Sequence, residues 1–196
     1  KITKNYNKMD KVKVKRCIMN KSFDDLLTKL KGIQRKKVAV AVAQDEPVLE
    51  AVKEANDRGI ADAILVGNKE EITLIAKNIG MDLNKFEIVN IEDPKKAALH
   101  AVELVSTGRA DMLMKGLLDT ATFLRSVLNK EVGLRTGKLM SHVAVFEIEG
   151  IDRLILLTDA AFNTYPELKD KAQIMRNSVV VAKACGISTP KVAPIC

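Results

Sequence analysis

Lys37–Ala43 reads KVAVAVA, in which an unbroken run of six small apolar residues follows Lys37 and is closed by Gln44-Asp45. A strand with one wet face alternates apolar and polar residues. A run without polar positions is expected where both faces of a strand are covered, and that is the situation in a parallel sheet packed between helices. The feature constrains the fold strongly, because parallel neighbours need long crossover connections.

The rest of the chain supplies them. Asp45 is placed to cap a helix over Glu46–Arg58, with Pro47 in its first turn and Gly59 at its end. A strand at Ala63–Val66, a turn at Gly67-Asn68 and a helix over residues 69–79 follow, closed by Gly80. Phe86–Ile91 reads as the third strand. Asp93-Pro94 opens a helix to about Thr107, and Met112–Lys115 is a fourth strand leading through Gly116–Thr120 into a helix at 121–129. Ahead of this series Ser22 caps a short helix with Phe23, Leu26, Leu27 and Leu30 on one face. The expected class is α/β, a mostly parallel sheet with crossover helices.

The alternation then changes. Ser141–Ile148 and Arg153–Thr158 read as a hairpin joined at Glu149–Asp152, a long helix runs from Pro166 to Gly186, and Lys191–Cys196 begins another strand. A new apolar strand needs a continuation, so the chain is expected to be truncated, its final strand cut short.

Charge points away from nucleic acid. The net charge is +7, but residues 1–21 hold eight of the 32 Lys and Arg and only one of the 25 acidic residues, Asp10. The remaining chain is balanced. Residues 1–20 are expected to be a basic leader outside the fold, disordered or not native, with Met9 or Met19 as possible starts. Residues 21–196 would form the α/β portion. The three cysteines, Cys17, Cys185 and Cys196, are widely spaced and form no zinc or disulfide pattern. No apolar run reaches the roughly 20 residues of a membrane span. A reduced, soluble, cytoplasmic protein without metal, membrane or nucleic-acid partner is expected.

In parallel sheets ligands bind beyond the C-terminal strand ends. There the chain offers Gln44-Asp45, Gly67-Asn68, Asn90, Lys115-Gly116 and Thr158-Asp159. The richest is Lys115–Arg125. A Lys at a strand end, Gly116, a hydroxyl cap at Thr120 and a helix N-terminus could hold an anion, with Arg125 one turn on. A plain capped helix with surface charges reads equally well. Thr158–Pro166 is the other polar strand end, either a capping turn or a second set of contacts. No G-x-G-x-x-G is present. Gly133–Leu139 resembles a P-loop one residue short, with Leu139 where a hydroxyl should bind magnesium, and reads as a mobile connection. Cys185, in the last turn of its helix, is poorly placed for a thiolate. Ser141 and His142, adjacent in a strand, point to opposite faces and make no triad. His100 lies mid-helix at the surface or its boundary.

Longer stretches carry a resemblance. Val38–Glu50, Gly59–Gly67, Lys115–Arg125, Asn129–Lys138, Ser141–Phe146, Leu157–Pro166 and Pro190–Cys196 are together similar to the phosphate acetyl/butyryl transferase family, and to its butyryl-transferring branch above all. The resemblance covers roughly residues 19–196. It implies a fold like that of the isocitrate and isopropylmalate dehydrogenases, a homo-oligomer, and reversible transfer of a butyryl group between CoA and inorganic phosphate. CoA would be substrate and product, with no other cofactor. It also implies that the final third of a family member, with its catalytic Ser-Arg and Asp groups, lies beyond Cys196, so no catalytic residue is assigned here. An Arg facing substrate in acetyl-transferring relatives carries over to Arg125. On this reading Lys115, Gly116, Thr120 and Arg125 form the phosphate side, and Ser141, Asp159 and Asn163 are secondary polar contacts. Acetyl transfer and a non-catalytic CoA- or phosphate-binding fragment are the alternatives; a metal-dependent dehydrogenase on the same fold lacks a convincing carboxylate cluster.

Overall fold

The structure is a computed structural model, and it describes residues 22–195. These fall into two compact units, one of residues 27–138 and one of residues 22–26 with 139–195. The basic leader and Cys17 lie outside the described residues, as does Cys196.

The unit of residues 27–138 is a four-stranded sheet of β1 (Lys36–Ala41), β2 (Ala61–Gly67), β3 (Glu87–Asn90) and β4 (Met112–Lys115). Its order is β3-β2-β1-β4 and every pairing is parallel. Val40 of β1 stands opposite Leu65 on one side and Met114 on the other. Helices cover both faces. Ala39, Ala41, Ile64 and Val66 pack with Ala97, Ala98, Ala101 and Leu104 of α4 (Pro94–Ser106). Val40, Ala63 and Leu65 pack the other way, with Leu49 and Val52 of α2 (Glu46–Asp57) and Ile72 and Ala76 of α3 (Lys69–Asn78). This two-sided cover is why β1 reads as continuously apolar. Leu49, Ile64, Leu65 and Ile72 are fully shielded from solvent, each stabilising the fold by roughly 1.5–3 kcal/mol.

The starts of α2, α3 and α4 lie where the sequence puts them, with one departure in the capping. Asn68 Oδ1 accepts from the N–H groups of Glu70 and Glu71 at 2.9 and 3.1 Å, and Asp93 Oδ1 from that of Lys96 at 2.8 Å. Asp45 occupies the cap position of α2 but makes no side-chain cap hydrogen bond. Pro47 removes one of the two N–H groups that a cap carboxylate would bond. Gly59, at φ 71°, ends α2 as expected. β1 stops two residues early, because Val42 has φ 59°, a left-handed conformation rare for a β-branched side chain.

In the second unit, β5 (Ala144–Phe146) and β6 (Ile155–Leu157) pair antiparallel, with Val145 opposite Leu156. The expected hairpin is present but its strands are short. Around residues 141–143 and 158–159 side chains bond the backbone instead. Thr158 Oγ1 donates to the His142 carbonyl at 2.6 Å, and the His142 N–H donates to Asp159 Oδ2 at 3.3 Å. Ser141 and His142 therefore precede the strand rather than lying in it, and the expectation of opposite strand faces does not apply. The long helix α6 (Leu168–Ala184) buries Ile174, Ser178 and Ala182, a stripe at four-residue spacing. Residues 191–195 form no strand; among the described residues they have no ladder partner.

Ser22 accepts from the Asp25 N–H at 3.2 Å and so caps α1 (Phe23–Leu30) as expected, while the Phe23 N–H donates to Glu147 Oε2 at 2.7 Å. The apolar stripe of α1 is only half realised: no residue is buried, and Phe23 and Leu30 are exposed. No helix among the described residues is long and apolar enough to cross a membrane.

Candidate functional site

The sheet order places the switch point between β1 and β4, where connections leave in opposite directions. Residues 42–45 and 115–119 lie at that end. The Gly116 and Leu117 N–H groups each donate at 2.8 Å to the carbonyls of Ala41 and Val42. This stitches the loop after β4 to the turn after β1. Gly116 is buried, and a Cβ there would stand 2.1 Å from the Val42 oxygen and 2.8 Å from that of Ala41. Close backbone approach is thus the physical reason for a glycine.

Lys115 curls over its own loop. Its ammonium donates to the Leu118 carbonyl at 2.5 Å and to that of Gly116 at 3.4 Å. α5 (Thr120–Val127) is capped by Asp119, whose Oδ1 accepts from the Thr122 N–H at 2.8 Å. The cap is therefore a carboxylate and not the Thr120 hydroxyl; Thr120 is the first helical residue and is exposed. The Thr122 hydroxyl beside Asp119, then the Thr122 N–H and the Arg125 charge, hold the Asp119 carboxyl below its usual range. Arg125 Nη2 donates to Thr122 Oγ1 at 2.8 Å, and Ser126 Oγ donates to the Thr122 carbonyl at 3.2 Å. Thr122, buried in the first turn, is the hub of this group. Lys115 and Thr120 are exposed at the loop and helix start, and the exposed Arg125, in the last turn of α5, reaches back to Thr122 in the first. Lys115 and Arg125 against Asp119 leave the segment of residues 115–125 net positive, which suits an anion.

Ser141, Asp159 and Asn163 come together within the second unit. Asp159 Oδ1 accepts from the N–H groups of Ala161 and Phe162, both at 2.9 Å. Its Oδ2 accepts from Asn163 Nδ2 at 2.6 Å and from the His142 N–H. Burial alone would raise the Asp159 carboxyl, but the Phe162, Ala161, Asn163 and His142 donors outweigh it and lower it to about 2. Asn163 Nδ2 also donates to the Met140 carbonyl at 3.0 Å. Ser141 Oγ accepts from Asn177 Nδ2 of α6 at 2.8 Å. Asn177 also donates to the Leu139 carbonyl at 3.0 Å and accepts from Gln173 Nε2 at 2.8 Å. Sequence reading missed Asn177, Gln173 and Thr122. Only the four-residue spacing of Gln173 and Asn177 on one helix face hinted at a polar pair.

His142 stacks edge-on against Phe162, ring centroids 6.2 Å apart, and its Nδ1 is buried with no partner among the described residues. His100, half-buried in the middle of α4 at the surface boundary as expected, has its Nδ1 3.1 Å from Glu103 Oε2. Cys185 is buried at the end of α6, and burial pushes its thiol up, away from a nucleophile. After α5 the chain folds on Asn129, whose Oδ1 accepts from the Glu131 and Val132 N–H groups, and the Leu134 N–H returns to the Val127 carbonyl. That is a helix-end turn, not a phosphate loop.

Comparison with known proteins adds the following. The chain matches the phosphate acetyl/butaryl transferase family over residues 22–97 and 94–196. It is 71% identical over 178 residues to the phosphate butyryltransferase of Clostridium beijerinckii, covering 91% of this chain and 59% of that protein. The phosphate butyryltransferase of Clostridium acetobutylicum gives the same identity and coverage. A solved branched-chain phosphotransacylase from Enterococcus faecalis V583 superposes with a TM-score of 0.64 at 30% identity, over 76% of this chain and 51% of that one. The chain thus spans about 59% of the length of the curated relatives it matches.

Proposed function

Since the chain belongs to the phosphate acetyl/butaryl transferase family, we propose that it takes part in reversible butyryl transfer between coenzyme A and inorganic phosphate. The observation that carries this reading is the 71% identity over 178 residues to proteins named phosphate butyryltransferase. In the reaction a phosphate oxygen attacks the thioester carbonyl, the C–S bond breaks, and CoA leaves as thiolate, giving butyryl phosphate. Nothing is oxidised or reduced.

The reaction asks for a cationic cradle that holds phosphate near the thioester, and for donors aimed at the oxyanion. Lys115, Thr120 and Arg125 are the phosphate side of this reading, supported by their exposure along the net positive segment of residues 115–125. Gly116 serves it by allowing the loop to lie on β1. Ser141 and Asn163 are polar substrate contacts. Asp159 belongs with them as the organiser of residues 158–163. With both carboxylate oxygens engaged and its carboxyl lowered to about 2, it is unsuited to act as a base. We place the enzyme in the cytoplasm as a homo-oligomer acting on acyl-CoA and phosphate without nucleic acid or membrane.

The test is thiol release from butyryl-CoA with and without phosphate. It compares this chain with one completed by the residues of the Clostridium beijerinckii relative that it does not cover. Phosphate-dependent release, fastest with butyryl among acetyl-, butyryl- and branched acyl-CoA, is expected of the completed protein. Release independent of phosphate, or none from either protein, would sink the reading. A faster acetyl rate would move it to acetyl transfer.

A further inference from the structure

Both N–H groups of Asn177 and its amide oxygen have partners. The Leu139 carbonyl can only accept, so the group facing it at 3.0 Å must be the amide nitrogen. That fixes the orientation of the side chain. The second N–H then goes to Ser141 Oγ at 2.8 Å, and the amide oxygen accepts from Gln173 Nε2 at 2.8 Å. A hydroxyl that accepts this bond keeps its own proton for another partner. Among the described residues no acceptor receives it. Ser141 is thus held as a donor with its proton unspent, next to His142, whose N–H bonds Asp159.

We propose that Asn177, steadied by Gln173, is a positioning residue that commits the Ser141 hydroxyl to donate to a negatively charged oxygen of the substrate. This rests on the acyltransferase reading, in which Ser141 is a substrate contact. Two oxygens have the required chemistry, one on phosphate and one on the thioester carbonyl as it becomes an oxyanion. An asparagine suits the role because its nitrogen supplies two donors at once. An aspartate of the same shape would only accept. It would turn the Ser141 proton toward itself and face the Leu139 carbonyl with a like partial charge.

The experiment uses the completed enzyme and measures kcat and both KM values for Asn177→Asp, Ser141→Ala and the double variant, with thermal melting as the folding control. Asn177→Asp is expected to raise the phosphate KM at least fivefold if phosphate is the acceptor, or to lower kcat at least fivefold with both KM values unchanged if the oxyanion is. Either way the loss should vanish in the Ser141→Ala background. Gln173→Met, which loosens Asn177 without touching Leu139 or Ser141, is a milder second variant. It is expected to change the same constant at least twofold. An effect that persists in the Ser141→Ala background, equal rises in both KM values, or unchanged kinetics in folded Asn177→Asp and Gln173→Met would overturn the inference. An unsubstituted enzyme without phosphate-dependent release would instead remove the functional reading, and this inference with it.

Discussion

Gly116 lies against the Val42 carbonyl so closely that a Cβ on it would stand 2.1 Å from that oxygen. The obstruction is backbone, so no side chain can swing away. Gly116→Ala should force the β4–α5 loop off the end of β1, breaking the bonds from Gly116 N–H to Ala41 and from Leu117 N–H to Val42. A loss of about 2 kcal/mol or more is expected, at the upper part of the usual overpacking range. The urea midpoint checks it: an unchanged midpoint would mean that the two turns are not held together as described.

Val42 supplies a second test at the same place. It is buried, and its φ of 59° is one that side chains with a Cβ adopt at a cost of roughly 1–2 kcal/mol. In ordinary positions Ala is more stable than Gly. Here the order should reverse. Val42→Gly and Val42→Ala both lose the packed side chain, but only glycine relieves the backbone, so Val42→Gly should be the more stable of the two by about 1 kcal/mol. Equal or opposite midpoints in chemical denaturation would contradict the left-handed conformation.

Much of the first unit was legible because its signals are local. The VAVAVA run, the Gly67-Asn68 turn, the Asp93-Pro94 helix start and the terminator Gly59 each act within one turn or one strand, and the elements formed there, although β1 stops two residues short of the run's end. What failed depends on partners far along the chain. The short strands around residues 144 and 156 could not be foreseen, because Thr158 and Asp159 outcompete the ladder for the His142 backbone. Strand order was equally hidden. Without it nothing in the sequence says that Lys115 follows the strand paired with β1, or that Gly116 is glycine because of Val42. Site chemistry was visible as residue type but not as state. The sequence suggested a hydroxyl cap at Thr120, and only the structure shows Asp119 taking that role. Asn177, in mid-helix, carried no mark of its bond to Ser141.

Asp159 predicts a pH dependence. Its carboxyl is lowered from an ordinary 3.8 to about 2, so the folded state favours the charged form. The resulting stability is fully present above pH 3.8 and is lost as pH falls through about 2. After solvent screening it amounts to about 1–2 kcal/mol. Asp159→Asn should lower stability at neutral pH and flatten the acid limb between pH 4 and 2, because an amide would point donors at the His142 and Asn163 donors already there. Urea midpoints at pH 7, 4 and 2.5 decide it. Parallel curves for the two proteins would show that Asp159 gains nothing from its four donors.

Arg125 separates the anion cradle from a merely capped helix. Its guanidinium is exposed and, among the described residues, is bonded to Thr122 Oγ1 alone, a contact that holds the fork without occupying all its donors. Losing it should therefore cost little stability, within about 0.5 kcal/mol as for other surface substitutions. Losing a contact to a phosphate dianion is another matter. In the completed enzyme, Arg125→Ala should raise the phosphate KM or lower kcat at least tenfold, about 1.4 kcal/mol. Arg125→Lys should recover little of the loss if the fork is bidentate, since a point charge cannot reproduce two parallel N–H donors. The butyryl-CoA KM serves as the internal control. A phosphate KM and kcat unchanged from the parent would remove Arg125 from the site and leave α5 as a capped helix carrying surface charge.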